Sequence, residues 1–163
     1  MTISTEVCNS FKQELLAMTP HTAGDAYKLI LIKASASRSY DKTQTNVGES
    51  GTPTGAGTPS SSLLGDDAID SGNSTMGTYT VTGVTLLNFA VNLASNVAYA
   101  TFDDPGAFTG TTISADGAMI YNSTRAGRAV AVFGFGGTIT STNGNFDVNL
   151  PANGYTTALI RIA

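Results

Sequence analysis

One histidine and one cysteine are the residues of this 163-residue chain best suited to acid–base or nucleophilic chemistry. His21 follows Pro20 at a predicted turn and has no serine or cysteine partner at the spacing of a catalytic motif. Cys8 stands next to the apolar Val7, without an adjacent basic residue to lower its pKa. We therefore interpret His21 as a surface residue and Cys8 as a small buried hydrophobe. One of each also cannot form a zinc site made of cysteine and histidine alone.

Two groups of carboxylates have the residue types of a metal or hydrolase site. The spacing of Asp66, Asp67 and Asp70 departs from the alternating ligands of a calcium-binding loop, and the terminal glutamate of such a loop is missing. We interpret this group as a solvated turn. Asp103 and Asp104 precede a Pro-Gly turn, and the sequence selects no second carboxylate for acid–base hydrolysis. The sequence therefore predicts no metal site and no catalytic residues.

A glycine cluster and two arginines complete the candidate chemistry. The glycines in residues 134–137 depart from the dinucleotide-binding pattern because Ile139 stands where a glycine is needed, so no cofactor is predicted. Gly134 lies between two phenylalanines, which predicts a bulge or a close backbone approach. Arg125 and Arg128 flank a glycine at a strand end, where they either bind a carboxylate of a partner or form a solvated hairpin tip.

Composition and charge narrow the function classes. Twelve acidic and eight basic residues give a net charge of -4, so the chain offers no cationic field for nucleic acid, and we expect no direct nucleic-acid partner. No apolar run approaches the length of about 18 residues that a membrane span needs. Charged residues interrupt the N-terminal segment, so it lacks the apolar centre of a secretory signal, and we expect synthesis in a cytoplasm.

The N-terminal residues 1–20 are predicted to form a helical arm. Within Thr5–Met18, the apolar side chains of Val7, Phe11 and Leu15 recur at helical spacing and form one stripe. A helix of about three turns is too short to be stable alone in water, so it must dock. Its apolar face packs either on its own domain or on a neighbouring subunit.

The rest of the chain has the pattern of short β-strands. Tyr27–Lys33 is apolar on both faces at its centre, which predicts a strand covered on two sides. Beyond position 74 the period is two, and turn signals separate most of the runs. These runs predict the strands Thr78–Val81, Val84–Leu87, Val97–Phe102, Ala118–Tyr121, Ala129–Phe133, Phe146–Leu150 and Ala158–Ile162. We expect one domain, residues 1–163, with an all-β fold: an antiparallel β-sandwich, jelly-roll-like, with a short N-terminal helix and a long loop.

The long loop is the segment 35–74, which is rich in glycine, serine, threonine and proline. Most connections in a compact domain have about 4 to 6 residues, and much longer ones are usually contact elements or linkers. Leu63, Leu64 and Ile69 are its obvious apolar anchors. We interpret the loop as a contact element.

Several segments resemble a family of small virion structural proteins of tailed bacteriophages. Outside the long loop, the resemblance covers most of the chain and is carried by Asn9–Leu16, Ala26–Leu31, Ala98–Asp104, Asp116–Asn122, Arg128–Phe133 and Thr140–Phe146. It implies an all-β virion component that acts as a decoration or cement protein of the phage head. Such a protein binds the major capsid protein and copies of itself at the outer capsid surface. A trimer is expected because capsids offer three-fold sites.

The predicted contact surface comprises the helix stripe, the loop anchors and the two arginines, and other functions remain as alternatives. The interface residues are Val7, Phe11, Leu15, Leu63, Leu64, Ile69, Arg125 and Arg128. The first alternative is a structural component of a phage tail or fibre. A glycan-binding β-sandwich module is disfavoured, since the chain has no tryptophan for an exposed aromatic platform. An enzyme is not predicted.

Overall fold

The computed structural model describes residues 2–19, 21–47, 67–72 and 74–162. In these ranges the elements are β1 (Glu6–Val7), α1 (Asn9–Leu16), β2 (Tyr27–Lys33), β3 (Val84–Leu86), β4 (Ala90–Ala94), β5 (Val97–Thr101), β6 (Ala107–Thr111), β7 (Ser114–Asn122), β8 (Arg128–Thr140), β9 (Gly144–Asp147) and β10 (Ile160–Ile162). None of the helical residues described forms a segment long and apolar enough to cross a bilayer.

The strands form three antiparallel sheets. The largest has five strands in the order β1-β8-β7-β2-β3, the second has three in the order β10-β5-β4, and β6 pairs with β9. Every strand pair is antiparallel. The predicted all-β, antiparallel class with one short helix is thereby confirmed. That residues 1–163 make one domain stays a prediction.

The core lies around β2, β7 and β8, whose central residues are buried on both faces. Both faces are buried because the apolar runs are continuous rather than alternating, as predicted for Tyr27–Lys33. A Cβ atom on Gly134 would lie 2.4 Å from the carbonyl oxygen of Ile3. The predicted close backbone approach at Gly134 is therefore confirmed, and it seats the N-terminal segment against β8.

The helix is shorter than the predicted Thr5–Met18. Glu6 and Val7 pair with β8 as a strand, and the helix begins only at Asn9. Met18 has a φ of 53°, a left-handed conformation that ends the helix. The prediction read the apolar spacing correctly but missed the competing backbone partner of the first residues.

One predicted strand, Thr78–Val81, is wrong. The N–H of Tyr79 donates to the carbonyl of Met76 and that of Gly83 to the carbonyl of Thr80, so the segment turns twice. Gly83 has a φ of 78°, and a Cβ atom there would lie 2.3 Å from the carbonyl oxygen of Leu29. The tyrosine still serves the core, because its hydroxyl accepts the backbone N–H of Leu31 at 2.9 Å.

The described parts of the segment 35–74 fold back onto the sheet. Ile69 is buried, and its N–H donates to the carbonyl of Leu31 at 3.3 Å. Leu63, Leu64 and Asp66 lie outside the described residues. The interpretation of the aspartates as a solvated turn is wrong for Asp67, whose residue is only 1% exposed and whose carboxylate forms an ion pair with Arg38 at 3.0 Å.

Candidate functional site

The helix α1 is held on the five-stranded sheet from its first turn. Cys8 precedes it in extended conformation, and the Cys8 N–H donates to the carbonyl of Val130 at 2.9 Å. The thiol is buried, as predicted, and burial raises its pKa to about 12 although nearby Lys12 opposes the shift. Cys8 therefore packs in the core with a thiol that burial keeps in its neutral form, and its backbone N–H ties the start of the helix to β8.

The two faces of α1 differ sharply in exposure. Phe11 is 2% exposed and meets the ring of His21 edge-on at 4.7 Å between centroids. Leu16, the last residue of the helix, is 87% exposed. Of the two alternatives for this helix, the Phe11 side packs on its own domain, whereas the side with Leu16 is open.

The second sheet, β10-β5-β4, carries two cross-strand apolar rows on one face. Ala100 stands opposite Ile160 on one side and Val91 on the other. Ala98 likewise stands between Ile162 and Leu93. The row that contains Ile160 is buried at its centre, while the three aliphatic residues at the margin are largely exposed: Val91, Leu93 and Ile162.

An apolar groove runs between α1 and β10. Val7, Phe11, Leu15 and Leu16 on the helix side and Ile160 and Ile162 on the strand side line a volume of about 610 Å³. It continues over β5 into a recess of about 190 Å³ that the same helix residues Phe11 and Leu15 share. Of the predicted interface residues, the structure thus brings together Val7, Phe11 and Leu15. We call this feature the α1–β10 groove.

The rim of the α1–β10 groove carries charges. Glu6, Lys12, Lys42 and Arg161 border it. Lys42 lies 3.4 Å from the Glu6 carboxylate, so these two charges compensate each other. Lys12 and Arg161 give the rim a local positive bias in a chain of net charge -4.

A buried polar network fixes the other end of α1, and it corrects the interpretation of His21 as a surface residue. The His21 side chain is 1% exposed, and its Nε2 lies 2.8 Å from Oε2 of Glu14. Its Nδ1 lies 3.1 Å from Nδ2 of Asn122. Because Oδ1 of Asn122 accepts the backbone N–H of Arg125, the amide group faces His21 with its NH₂. His21 thus donates from Nε2, accepts at Nδ1, and joins the helix to the β7–β8 hairpin.

Both predicted interface arginines bind carboxylates of their own chain. Arg125 donates from Nε and Nη2 to the two oxygens of Asp25, at 3.0 and 3.2 Å. Nε of Arg128 lies 3.2 Å from Oε1 of Glu14. Burial alone would raise the pKa of Asp25, but the hydrogen bonds it accepts, foremost from Arg125, outweigh burial and lower it to about 2. Arg128 therefore ties the hairpin to the helix, and Arg125 ties it to Asp25 in the segment between α1 and β2. Ile69, another predicted interface residue, lies in the core.

Four residues of the exposed apolar surface were not predicted from the sequence: Leu16, Val91, Leu93 and Ile162. Two signals were present, the doubled leucine at the end of the helix and the alternation in Ala90–Ala94. In the part of the chain that the structure describes, no group of three or more His, Cys, Asp or Glu side chains has the arrangement of a metal site. No family model, no curated protein and no solved structure matches this chain.

Proposed function

We propose that this chain is a bacteriophage virion structural protein, a decoration or cement protein that binds the major capsid protein on the outer surface of the head. The observation that carries the proposal is the open α1–β10 groove, with Leu16 87% exposed and Ile162 54% exposed at its edges. Exposed apolar surface bordered by charged residues is typical of protein–protein contact sites. The resemblance of several segments to phage virion proteins supports a capsid protein as the partner.

The groove fits an apolar capsid segment with acidic flanks. Its walls are aliphatic and aromatic, which favours one or two inserted side chains, and Lys12 and Arg161 at the rim favour carboxylates beside them. The net charge of -4 disfavours the inner surface of a head, where packaged DNA would repel the protein. The net charge therefore favours attachment to the outer surface of the head.

Self-association and the finer fold belong to the same proposal. Many copies on a lattice stabilise a shell even when each contact is modest, because the binding free energies add over the shell. We propose that the three sheets pack as a jelly-roll-like sandwich and that copies of the chain associate on the head. The trimer stays a prediction. No step of this function makes or breaks a covalent bond.

Substitutions at the edges of the groove are expected to weaken head binding strongly. Leu16→Asp and Ile162→Asp place a carboxylate on exposed apolar surface, so each should lower co-sedimentation with isolated heads by about tenfold or more while the fold is kept. Leu87→Asp is the matched control, because Leu87 is 62% exposed and lies outside the groove.

The measurement is co-sedimentation of each purified variant with heads that lack the protein, with circular dichroism as the check on folding. Loss of binding by the two groove variants, but not by the control, supports the proposal. Equal binding by all three variants contradicts the assignment of the groove. Failure of the unchanged protein to bind heads contradicts the proposed function itself.

A further inference from the structure

The strand β4 is an open edge. In the sheet order β10-β5-β4 it comes last, and among the described residues no strand pairs with its outer side. Four of its five residues are exposed, and Val91 and Leu93 are 68% and 75% exposed. An edge of this kind presents a row of backbone donors and acceptors to another strand.

The hairpin between β4 and β5 determines which backbone groups point outward. Its two turn residues, Ser95 and Asn96, have φ values of 48° and 64°, as a type I′ turn requires. In such a hairpin the residues that flank the turn form a hydrogen-bonded pair, and the pattern then alternates along the ladder. Val91 and Leu93 therefore direct their N–H and C=O groups away from β5.

The usual protection of an edge strand is missing from β4. Natural edges carry a lysine, a proline or a bulge that prevents pairing with another chain. Ala90–Ala94 contains neither of these residues, and it pairs with β5 through five consecutive residue pairs without a register shift. Such an edge is competent to pair.

A second copy of this chain would meet little charge repulsion at this edge. The chain carries a net charge of -4, so two copies repel each other wherever their acidic surfaces meet. Residues 71–102, which include β4, contain no charged residue. Two copies meet at this edge without like charges in contact.

We propose that β4 pairs antiparallel with β4 of a second copy, about a two-fold axis at Asn92. In this register Val91 stands opposite Leu93 of the other copy, and the reverse pair is identical by symmetry. Their outward N–H and C=O groups form four hydrogen bonds, and their four aliphatic side chains meet on one face. The two three-stranded sheets become one sheet of six strands.

The dimer deepens the proposed function and rests on its self-association part, in which a two-fold pair takes the place of the trimer expected from capsid symmetry. A two-fold axis perpendicular to the joined sheet leaves the same face of both copies on one side. The two α1–β10 grooves therefore open toward the same side of the dimer. A capsid lattice that offers two matching sites would be bound twice by one dimer, which strengthens attachment without any new contact.

Sedimentation velocity of the free protein tests the contact. The unchanged chain is expected to form a dimer as its concentration rises, and Leu93→Lys should weaken the association about tenfold or more, because a lysine on an edge opposes pairing. Leu87→Lys is the matched control, since Leu87 is also a leucine, is 62% exposed against 75% for Leu93, and lies outside β4. A protein that stays monomeric, forms a trimer, or dimerises equally well as Leu93→Lys overturns the proposal.

Disulfide cross-linking tests the register and stands independently of the lysine variant. Asn92→Cys should cross-link to itself under mild oxidation, because non-hydrogen-bonded pairs bring their Cα atoms to about 4.5 Å. Ala90→Cys should stay largely monomeric, since Ala90 faces Ala94 of the other copy. The native Cys8 is fully buried and serves as the background. Absence of the Asn92→Cys dimer overturns the register.

These measurements use free protein, so their failure is distinguishable from failure of head binding. A Leu93→Lys variant that is monomeric and still co-sediments with heads at high concentration would support both the proposed function and the β4 contact. A protein that dimerises through β4 but does not co-sediment with heads would support the β4 contact and contradict the proposed function.

Discussion

Phe11→Ala is expected to lower the free energy of unfolding by about 3–5 kcal/mol. The ring is 2% exposed, belongs to the core and packs edge-on against His21. Its removal leaves a cavity between α1 and β8 and uncovers the buried polar network behind the helix. The measurement is urea denaturation followed by circular dichroism of the sheet.

Leu16→Ala is the matched control for this experiment. It removes an aliphatic side chain from the same helix, but Leu16 is 87% exposed, so its effect should stay within about 0.5 kcal/mol. Equal stability of the two variants would show that α1 is an arm whose partner is another subunit. The large difference in unfolding free energy that we expect would show that the Phe11 side chain belongs to the core of its own domain.

Asp67→Asn is expected to lower the free energy of unfolding by about 2–3 kcal/mol at neutral pH, because Asp67 is buried and its hydrogen-bond donors lose a charged acceptor. The carboxylate accepts the backbone N–H groups of Ser37 and Arg38 at 2.7 and 3.2 Å, and the Tyr40 hydroxyl at 2.8 Å. Arg38 adds an ion pair through Nε. An amide NH₂ in the place of Oδ2 would face the backbone N–H and the Nε–H of Arg38 as one donor against two others. The segment between Ser37 and Tyr40 would then lose the acceptor that holds it in place.

The same carboxylate gives the stability a defined pH dependence. Burial alone would raise the pKa of Asp67, but the hydrogen bonds it accepts outweigh burial and lower the pKa below its ordinary value of 3.8. A lowered carboxyl pKa contributes stability that is complete above the ordinary value and is lost as the pH falls through the lowered value. The stability of the unchanged protein should therefore fall below about pH 4, and that of Asp67→Asn should fall less.

Asp147→Asn is the control, because Asp147 is an exposed aspartate on β9. Its effect at neutral pH should stay within about 0.5 kcal/mol. Denaturant unfolding at a series of pH values measures both variants. An Asp67→Asn variant as stable as Asp147→Asn, with an unchanged acid limb, would contradict a structural role for the Asp67 cluster.

The strands with strong local patterns were predictable from sequence. Tyr27–Lys33 is a strand with the predicted bounds, because its continuous apolar run fits a strand covered on both faces. The predicted strand Ala129–Phe133 lies inside the longer β8, Arg128–Thr140. Here the local pattern and the tertiary environment agree.

The polar network behind α1 was not predictable from local spacing. His21 and Asn122 are 101 residues apart, and the sheet brings them together. A lone histidine after a proline gives no sign that a distant amide and the Glu14 carboxylate will enclose it. The burial of Asp67 was unpredictable for the same reason, since its hydrogen-bond partners lie 27 to 30 residues earlier in the chain.

The exposed edge β4 was missed for a different reason. Its apolar residues alternate but face solvent, so no burial pattern marks the segment as part of a core sheet. β6, Ala107–Thr111, was missed because glycine and threonine give it a weak apolar pattern. Exposed edge strands lack the pattern of buried apolar residues from which core strands are predicted.

The number and position of copies in an intact phage particle test the central claim most directly, that this chain works by attachment to a capsid. Quantitative mass spectrometry combined with an electron-microscopy map of the particle measures both. We expect on the order of hundreds of copies on the outside of the head, in a fixed ratio to the major capsid protein and with the α1–β10 groove against it. A handful of copies at the tail, or none in the particle, would contradict this account.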